Sequence, residues 1–367
     1  MKIAIHTISD DNNFGNRLQN FALTKVLNNE NKNSVVTLQD YNSQRNYYSF
    51  FNSLSLTQLY LILICIKAKV KGIPKDEIMQ YYKYKRRERV FRKFTKHYVP
   101  KFKNTIYSEE EFSLYVIGSD QIWNPQFRKN LSNDFLPNVT RAKVISFAAS
   151  IGLENLSLDT QSIIANGVSQ LSAISVRENS AKKIIQKLSR CKVYVHVDPT
   201  MLLSKEDWHV LSEKSNRNIR IDQNFVVTYF LGEITDKERK YVYEYASNIN
   251  ASVVELNNVN NKSYSKIGPL EFLWLFENSK AIFADSYHAA VFSIIFNKYF
   301  EIFNRHDSFS KMNTRMETLF ENFELETRIH DLDSDPDVLP EVDYRKIESI
   351  LIKKRHEAKQ WLGHYIN

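Results

Sequence analysis

The residues able to do chemistry gather in short polar words, each placed just after an apolar run. Asn13, Gly15, Asn16 and Gln19 stand near the start; Gly118, Ser119, Asp120, Gln121, Trp123 and Asn124 follow later. Arg177 and the group Asp285, Ser286, Tyr287 and His288 complete the set. His288 opens a predicted helix after a predicted strand, where an imidazole can serve as general acid; the alternative is a histidine that caps or packs at the helix start. Arg177 offers a planar two-point fork for a carboxylate or phosphate; its alternative is an ion pair with Glu178 or Glu154. Lys298 in FNKYF and Arg315 are further candidate cations. Gly15, Asn16, Arg17 and Gln19 lie at a helix opening, where backbone N–H groups favour polar or anionic ligands. Asn13 suits a helix cap, which is compatible with ligand contact. Trp123 beside Asp120, Gln121 and Asn124 offers a ring next to amides and a carboxylate, as a sugar site would; the alternative is a core tryptophan and a capping aspartate. Asp285 and Ser286 are expected to cap the helix that carries His288.

Several other chemistries lack their residues. There is no GxGxxG, no GxxxxGK[ST] and no GxSxG word. Asp331, Asp333, Asp335 and Asp337 imitate a calcium loop, but Pro336 and Val342 stand where glycine and glutamate are required. No histidine pair has zinc spacing, so no metal is expected. Two cysteines, Cys65 and Cys191, cannot build a disulfide framework. With no apolar leader at the start, the expected compartment is the cytoplasm.

The elements that must hold these words alternate between short apolar strands and helices. Strand runs are read at residues 2–6, 35–38, 114–117, 143–148, 173–176 and 193–197, then at 225–230, 252–256, 281–284 and 299–303. Helical patterns fill much of the space between them, including 159–171, 236–249, 269–278 and a helix from His288. That alternation argues for parallel sheets made of βαβ units. A chain of 367 residues, 43% hydrophobic and 25% charged, is globular and long enough for two domains. The reading is an α/β protein with two Rossmann-like domains facing a cleft. Residues 1–198 form the first, with a basic helical insertion at about 54–105. Residues 199–345 form the second, and 346–367 a helix that packs back on the first. Ligands of such sheets bind beyond the carboxyl ends of the strands, where the polar words lie.

The net charge of +8 is concentrated: residues 67–103 hold 14 Lys or Arg against Asp76, Glu77 and Glu88. Tyr84, Val90, Phe91, Phe94 and Tyr98 approximate helical spacing, so one face packs and the other is basic. A solvated face and attraction to anionic lipid or another polyanion are the two readings. No nucleic-acid-binding signature accompanies the charge, so nucleic acid is not an expected partner. The apolar run 54–66 is too short to span a membrane; it reads as a buried helix or a membrane-surface element. The acidic stretch 331–343 reads as a linker.

Taken in order, FGNRLQNFAL, YVIGSDQIWN, ISFAASIG, ISVRENS, VDPTMLL, YFLGE, ADSYHAAVFSIIF and NTRMETLFENFELETR resemble the polysaccharide pyruvyl transferases. The resemblance runs from about residue 13 to about residue 328. It implies a GT-B-type fold and transfer of pyruvate from phosphoenolpyruvate onto a sugar as a ketal, with no cofactor besides that donor. The implied acceptor is a bacterial surface polysaccharide or its lipid-linked precursor; the basic helix is the element expected to bring the enzyme to lipid-linked glycans by peripheral contact at the inner membrane face. Such chemistry needs a proton for the methylene carbon, attack of two hydroxyls on C2, and cations for the donor's charges. The expected division gives the proton to His288 and the anions to Arg177 with Lys298. The N-terminal loop and the GSDQIWN turn would present the acceptor. A nucleotide-sugar glycosyltransferase and a non-catalytic polyanion- or membrane-surface-binding protein are the rival functions.

Overall fold

The computed structural model describes residues 1–10, 12–28, 32–38, 75–102, 111–216, 221–258, 261, 263–306, 314–330 and 339–366. The apolar run 54–66, the ends of the basic segment at 67–74 and 103, and residues 331–338 of the acidic linker lie outside the described residues.

Two parallel sheets hold the strands. The first contains β1 (Lys2–His6), β2 (Ser34–Thr37), β3 (Leu114–Ile117), β4 (Lys143–Ala149), β5 (Ala173–Val176) and β6 (Val193–Val195), in the order β2-β1-β3-β4-β5-β6. The second contains β7 (Phe225–Tyr229), β8 (Ser252–Glu255), β9 (Ala281–Ala284), β10 (Tyr299–Phe303) and β11 (Ile329–His330), in the order β8-β7-β9-β10-β11. Both are Rossmann-like: the chain leaves its first strand toward one edge and then returns to build toward the other. A crevice therefore opens beyond the carboxyl ends of β1 and β3, and another beyond those of β7 and β9. LYVI of β3 and AIFA of β9 are buried throughout, as strands covered on both faces must be.

The helices are α1 (Phe14–Asn28), α2 (Lys75–Tyr98), α3 (Leu158–Val168), α4 (Asn179–Leu188), α5 (Lys205–Ser212), α6 (Asp236–Asn248), α7 (Pro269–Asn278), α8 (Tyr287–Phe296), α9 (Thr314–Phe323) and α10 (Tyr344–Ile366). α10 returns to the first sheet. Trp361 lies 6.1 Å from the Phe147 ring and 5.2 Å from that of His196, and Asn33 Nδ2 donates to the Ile366 carbonyl at 3.2 Å.

The two lobes share one apolar core, which runs from Ile3, Phe14 and Leu18 to Tyr229, Phe272 and Phe292. Phe14 is its joint: the ring stacks on Phe272 at 4.7 Å and meets Tyr229 edge-on at 5.5 Å. α2 adds a second tie. Phe91 and Phe94 are buried, and Tyr84, Val90 and Tyr98 half-buried. In the midst of the basic run, Arg87 is only 1% exposed. Its guanidinium lies 4.5 Å from the Phe14 ring and 4.3 Å from that of Tyr264, and Nη1 donates to the Leu256 carbonyl at 3.4 Å. Desolvated cation–aromatic contacts of this kind are worth about 2 kcal/mol. The opposite face of α2 exposes Tyr82, Arg86, Arg89, Lys93 and Lys96 at three- and four-residue steps.

Because Phe14 fills space between the lobes, Phe14→Ala should cost about 3–5 kcal/mol of stability in chemical denaturation. Unfolding should remain a single transition if the core is shared.

Candidate active site

The two crevices face each other and make one pocket. Its first wall comes from the loops after β1 and β3 and the start of α1: Ile8, Asp10, Asn13, Asn16, Asp120, Gln121 and Phe127. Its second wall comes from the loops after β7, β9 and β10 and from the starts of α8 and α9: Leu231, Asp285, Ser286, Tyr287, His288, Arg305, Arg315 and Met316. The first wall carries amides and carboxylates, and the second carries most of the cations.

The first wall is built around Asn16. Its Oδ1 accepts from the Asp10 N–H at 2.9 Å and from Arg17 Nη2 at 2.6 Å, while its Nδ2 donates to Asp120 Oδ2 at 3.0 Å. Asn13 Oδ1 accepts from the Asn16 N–H at 3.1 Å, so this residue both caps α1 and lines the pocket. Gly15 is required by close approach: a Cβ there would stand 2.0 Å from His288 Nδ1. Gly118, at φ +118°, lets the chain turn where a Cβ would meet the Phe147 carbonyl oxygen at 2.3 Å. Asp120 adopts φ +64°, a conformation that aspartate tolerates better than most residues.

Behind that wall lies a buried charge network centred on Asp198. Its Oδ2 accepts from Arg177 Nη1 at 2.6 Å and from Ser119 Oγ at 3.3 Å, and lies 3.6 Å from His288 Nε2. Its Oδ1 accepts from the Thr200 N–H and hydroxyl, at 3.0 and 2.7 Å. Arg177 Nη2 reaches Asp120 Oδ1 at 3.4 Å, and the Tyr287 ring covers the guanidinium at 4.4 Å. Burial opposes ionisation of Asp120, but Arg177, His288, Arg315 and the Asn16 amide together hold its carboxyl at about 2. Burial likewise opposes ionisation of Asp198, yet His288, Arg177 and the Thr200 N–H hold it well below the usual carboxylate range. Burial, reinforced by Arg177, lowers Arg315 to about 10, so it remains a cation at neutral pH. Burial also pushes the Tyr287 phenol up.

Several expected placements need correction. Arg177 does not line the pocket: it is 3% exposed, sealed behind Tyr287, with its charge engaged by Asp198 and Asp120. Lys298 is absent from the site because it follows the far end of α8 and precedes β10 at that strand's amino end. Ten helical residues, about 15 Å, separate the two ends. Trp123 is a core residue, fully buried and stacked on Phe135 at 5.1 Å; the aromatic ring on the first wall is that of Phe127. Asn124 is buried and accepts from the Gln126 N–H, and Gln19 Nε2 donates to Thr7 Oγ1, so both serve local structure. Asp285 does not cap α8. Its two oxygens accept from the Leu231 and Gly232 N–H groups, joining the two loops of the second crevice, and Ser286 makes no side-chain cap. Ser119 and Gly118 shape the turn, whereas Asn13, Asn16, Asp120, Gln121, Ser286, Tyr287, His288 and Arg315 meet at the pocket. Asp198, Asp10, Arg305 and Phe127 are the additions. Asp198 follows an apolar strand as the other candidates do, and that same rule would have found it.

A model of the polysaccharide pyruvyl transferase family matches residues 13–307. The chain belongs to that family. No curated protein matches it by sequence. Among solved structures, it is similar to a UDP-GlcNAc 2-epimerase from Neisseria meningitidis, with 12% identity and TM-score 0.47, covering 98% of this chain and 93% of the other. It is also similar to the UDP-GlcNAc 2-epimerase of Methanocaldococcus jannaschii, with 11% identity and TM-score 0.43, over 97% and 100%. The ADP-heptose LPS heptosyltransferase II of E. coli follows at 9% identity and TM-score 0.35, over 96% and 99%. These likenesses bear on neither substrate nor residue roles. The two-domain, Rossmann-like GT-B arrangement of this pyruvyl transferase family member is read from its own sheets. Among the described residues, no three His, Cys, Asp or Glu side chains are grouped to hold a metal ion, and no helix is long and apolar enough to cross a membrane.

The depressed carboxyl of Asp120 gives stability that is complete above its unfolded value near 4 and is lost as pH falls toward 2. Asp120→Asn should therefore flatten the acid side of the stability curve by about 2 kcal/mol between pH 4 and pH 2, read from urea melts across that range.

Proposed function

We propose that the chain transfers pyruvate from phosphoenolpyruvate to two hydroxyls of a sugar, forming a ketal. The observation that carries this reading is the division of charge across one pocket, with His288 at the meeting of its walls. Arg305 and Arg315 on the second wall suit the phosphate and carboxylate of a small, highly charged donor, since guanidinium binds both by paired N–H groups. Asn13, Asn16, Asp120 and Gln121 on the first wall suit hydroxyl groups, and the half-buried Phe127 ring suits the apolar face of a pyranose. A carboxyl held as low as that of Asp120 orients a hydroxyl by accepting its hydrogen bond; it is too weak a base to carry the proton away.

In this mechanism His288 donates a proton to the donor's methylene carbon, leaving C2 electrophilic. One sugar hydroxyl attacks C2, phosphate leaves, and the second hydroxyl closes the ketal. One hydroxyl proton restores the histidine and the other departs with phosphate. Arg177 acts from behind the wall, keeping Asp120 and Asp198 ionised and fixed. His288→Ala should reduce phosphate release from phosphoenolpyruvate, in the presence of acceptor, by at least about 100-fold without lowering the melting temperature. Gly15→Ala should do likewise through collision with the ring. Turnover near wild type in His288→Ala would remove it from the scheme. Protection against heat by a nucleotide sugar, and not by phosphoenolpyruvate, would favour a glycosyltransferase instead.

The acceptor we propose is a surface polysaccharide or its lipid-linked precursor, reached at an anionic membrane. Arg86, Arg89, Lys93 and Lys96 support this, because they form one exposed stripe about 15 Å long on α2. Each charge near an anionic bilayer contributes about 1 kcal/mol. Replacing all four by Gln should abolish co-sedimentation with phosphatidylglycerol vesicles at low salt. Failure of the unaltered protein to bind such vesicles would discard the membrane contact.

A further inference from the structure

We infer that Asp198 is a positioning residue: it holds the His288 ring with Nε2 toward the first lobe, which leaves Nδ1 as the nitrogen that serves the donor. The inference rests on reading His288 as the proton donor. It begins from how little freedom Asp198 has. The residue is fully buried at the carboxyl end of the first lobe's last strand, and both oxygens are engaged. Thr200 fixes Oδ1 through its N–H and its hydroxyl, while Arg177 and Ser119 fix Oδ2. A carboxylate tied at four points presents its remaining lone-pair direction as a fixed feature.

That feature is 3.6 Å from His288 Nε2, a buried atom with no hydrogen-bond partner among the described residues. The spacing is an ion-pair distance, slightly longer than a hydrogen bond, and such contacts tighten once substrate fills a site. On its other side the ring lies against bare Gly15, where a methyl group would stand 2.0 Å from Nδ1 and 2.1 Å from Cγ. The imidazole, carried on the second lobe, is therefore set between a carboxylate and a glycine of the first.

The chemical consequence is a choice of tautomer. With both nitrogens protonated, Nδ1–H is the bond that breaks as the new C–H bond forms on the donor's methylene. The ring is left neutral, with its remaining proton on Nε2 directed at Asp198. A ring free to rotate would return both tautomers and present the wrong nitrogen part of the time. Arg177 has its place in the same arrangement: it compensates the Asp198 charge, so the carboxylate does not need to take the proton itself.

The test compares Asp198→Asn with the unaltered protein. The kcat for phosphate release should fall roughly 100-fold, with the KM for phosphoenolpyruvate changed less than about threefold. In a His288→Ala background the same substitution should bring no further loss, because its effect passes through the ring. A kcat within threefold of wild type, or losses that multiply, would overturn the inference. Thr200→Val keeps the charge and removes one tether; it should lower kcat about fivefold, and it decides the matter if Asp198→Asn does not fold. A second readout does not depend on the donor. ¹⁵N NMR of the His288 ring at a pH where it is neutral should show the Nε2–H tautomer in the wild type and a mixture in either variant. Identical ring signals would overturn the inference even if phosphoenolpyruvate is the donor. Absence of phosphate release by wild type, with the tautomer result as expected, would instead overturn the donor assignment alone.

Discussion

Taking a guanidinium and two carboxylates out of water together is costly, and the chain bears that cost only because each charge meets a fixed partner. Arg177 lies between Asp198 and Asp120 under the Tyr287 ring. Each of these side chains leaves a different strand end, so the strands must be in register for the charges to balance. The ordering of the first sheet beyond β3, β5 and β6 and the electrostatics of the pocket are thus one requirement. The second lobe enters the same requirement through His288 and Tyr287 at the end of β9, which meet Asp198 and Arg177 only when the lobes face each other. Removing Arg177 would leave buried carboxylates uncompensated, which makes it a residue of structure and chemistry at once.

Repetition of one strand order in the two lobes explains why the pocket is where it is. In each sheet the chain reverses direction beside its first strand, and the two reversals confront each other. Asp285 makes the second crevice a single surface by binding the Leu231 and Gly232 N–H groups, as Asn16 does for the first through Asp10 and Asp120. The first surface is rich in amides and carboxylates and the second in arginines, which is a separation by electrostatic kind as well as by sequence.

Much of this could be read in the sequence. Buried parallel strands are short continuous apolar runs, so LYVI and AIFA announced themselves, and the polar words after them lie at the crevice because of where such strands end. The errors have physical causes too. Lys298 shares an apolar segment with His288, but a helix separates its two ends by its whole length, and proximity in sequence became distance in space. Trp123 has the right type and neighbours for a sugar site, yet a single residue's orientation decided that it faces Phe135 and that Phe127 faces the pocket. Arg177 was found at the right strand end, but its engagement with Asp198 and Asp120 depends on contacts 21 and 57 residues away along the chain. Arg87 lies at helical spacing from Tyr84 and Phe91, on the packed face of the basic run, but nothing local tells that its guanidinium will meet Tyr264.

Arg87 carries a wider implication. Its head is enclosed by rings from both halves of the molecule, and Phe14 beside it is embedded in the opposite half. Prising the halves apart would expose the Phe14 ring to water and break the cation–aromatic contacts of Arg87 at the same moment. Separation of the lobes is therefore opposed at this joint, and the spacing of the opposed surfaces is tied to the fit of Phe14 and Arg87 between them. Sequence change in such a scaffold is easier at the rim of the pocket than at the joint that sets the distance between its walls.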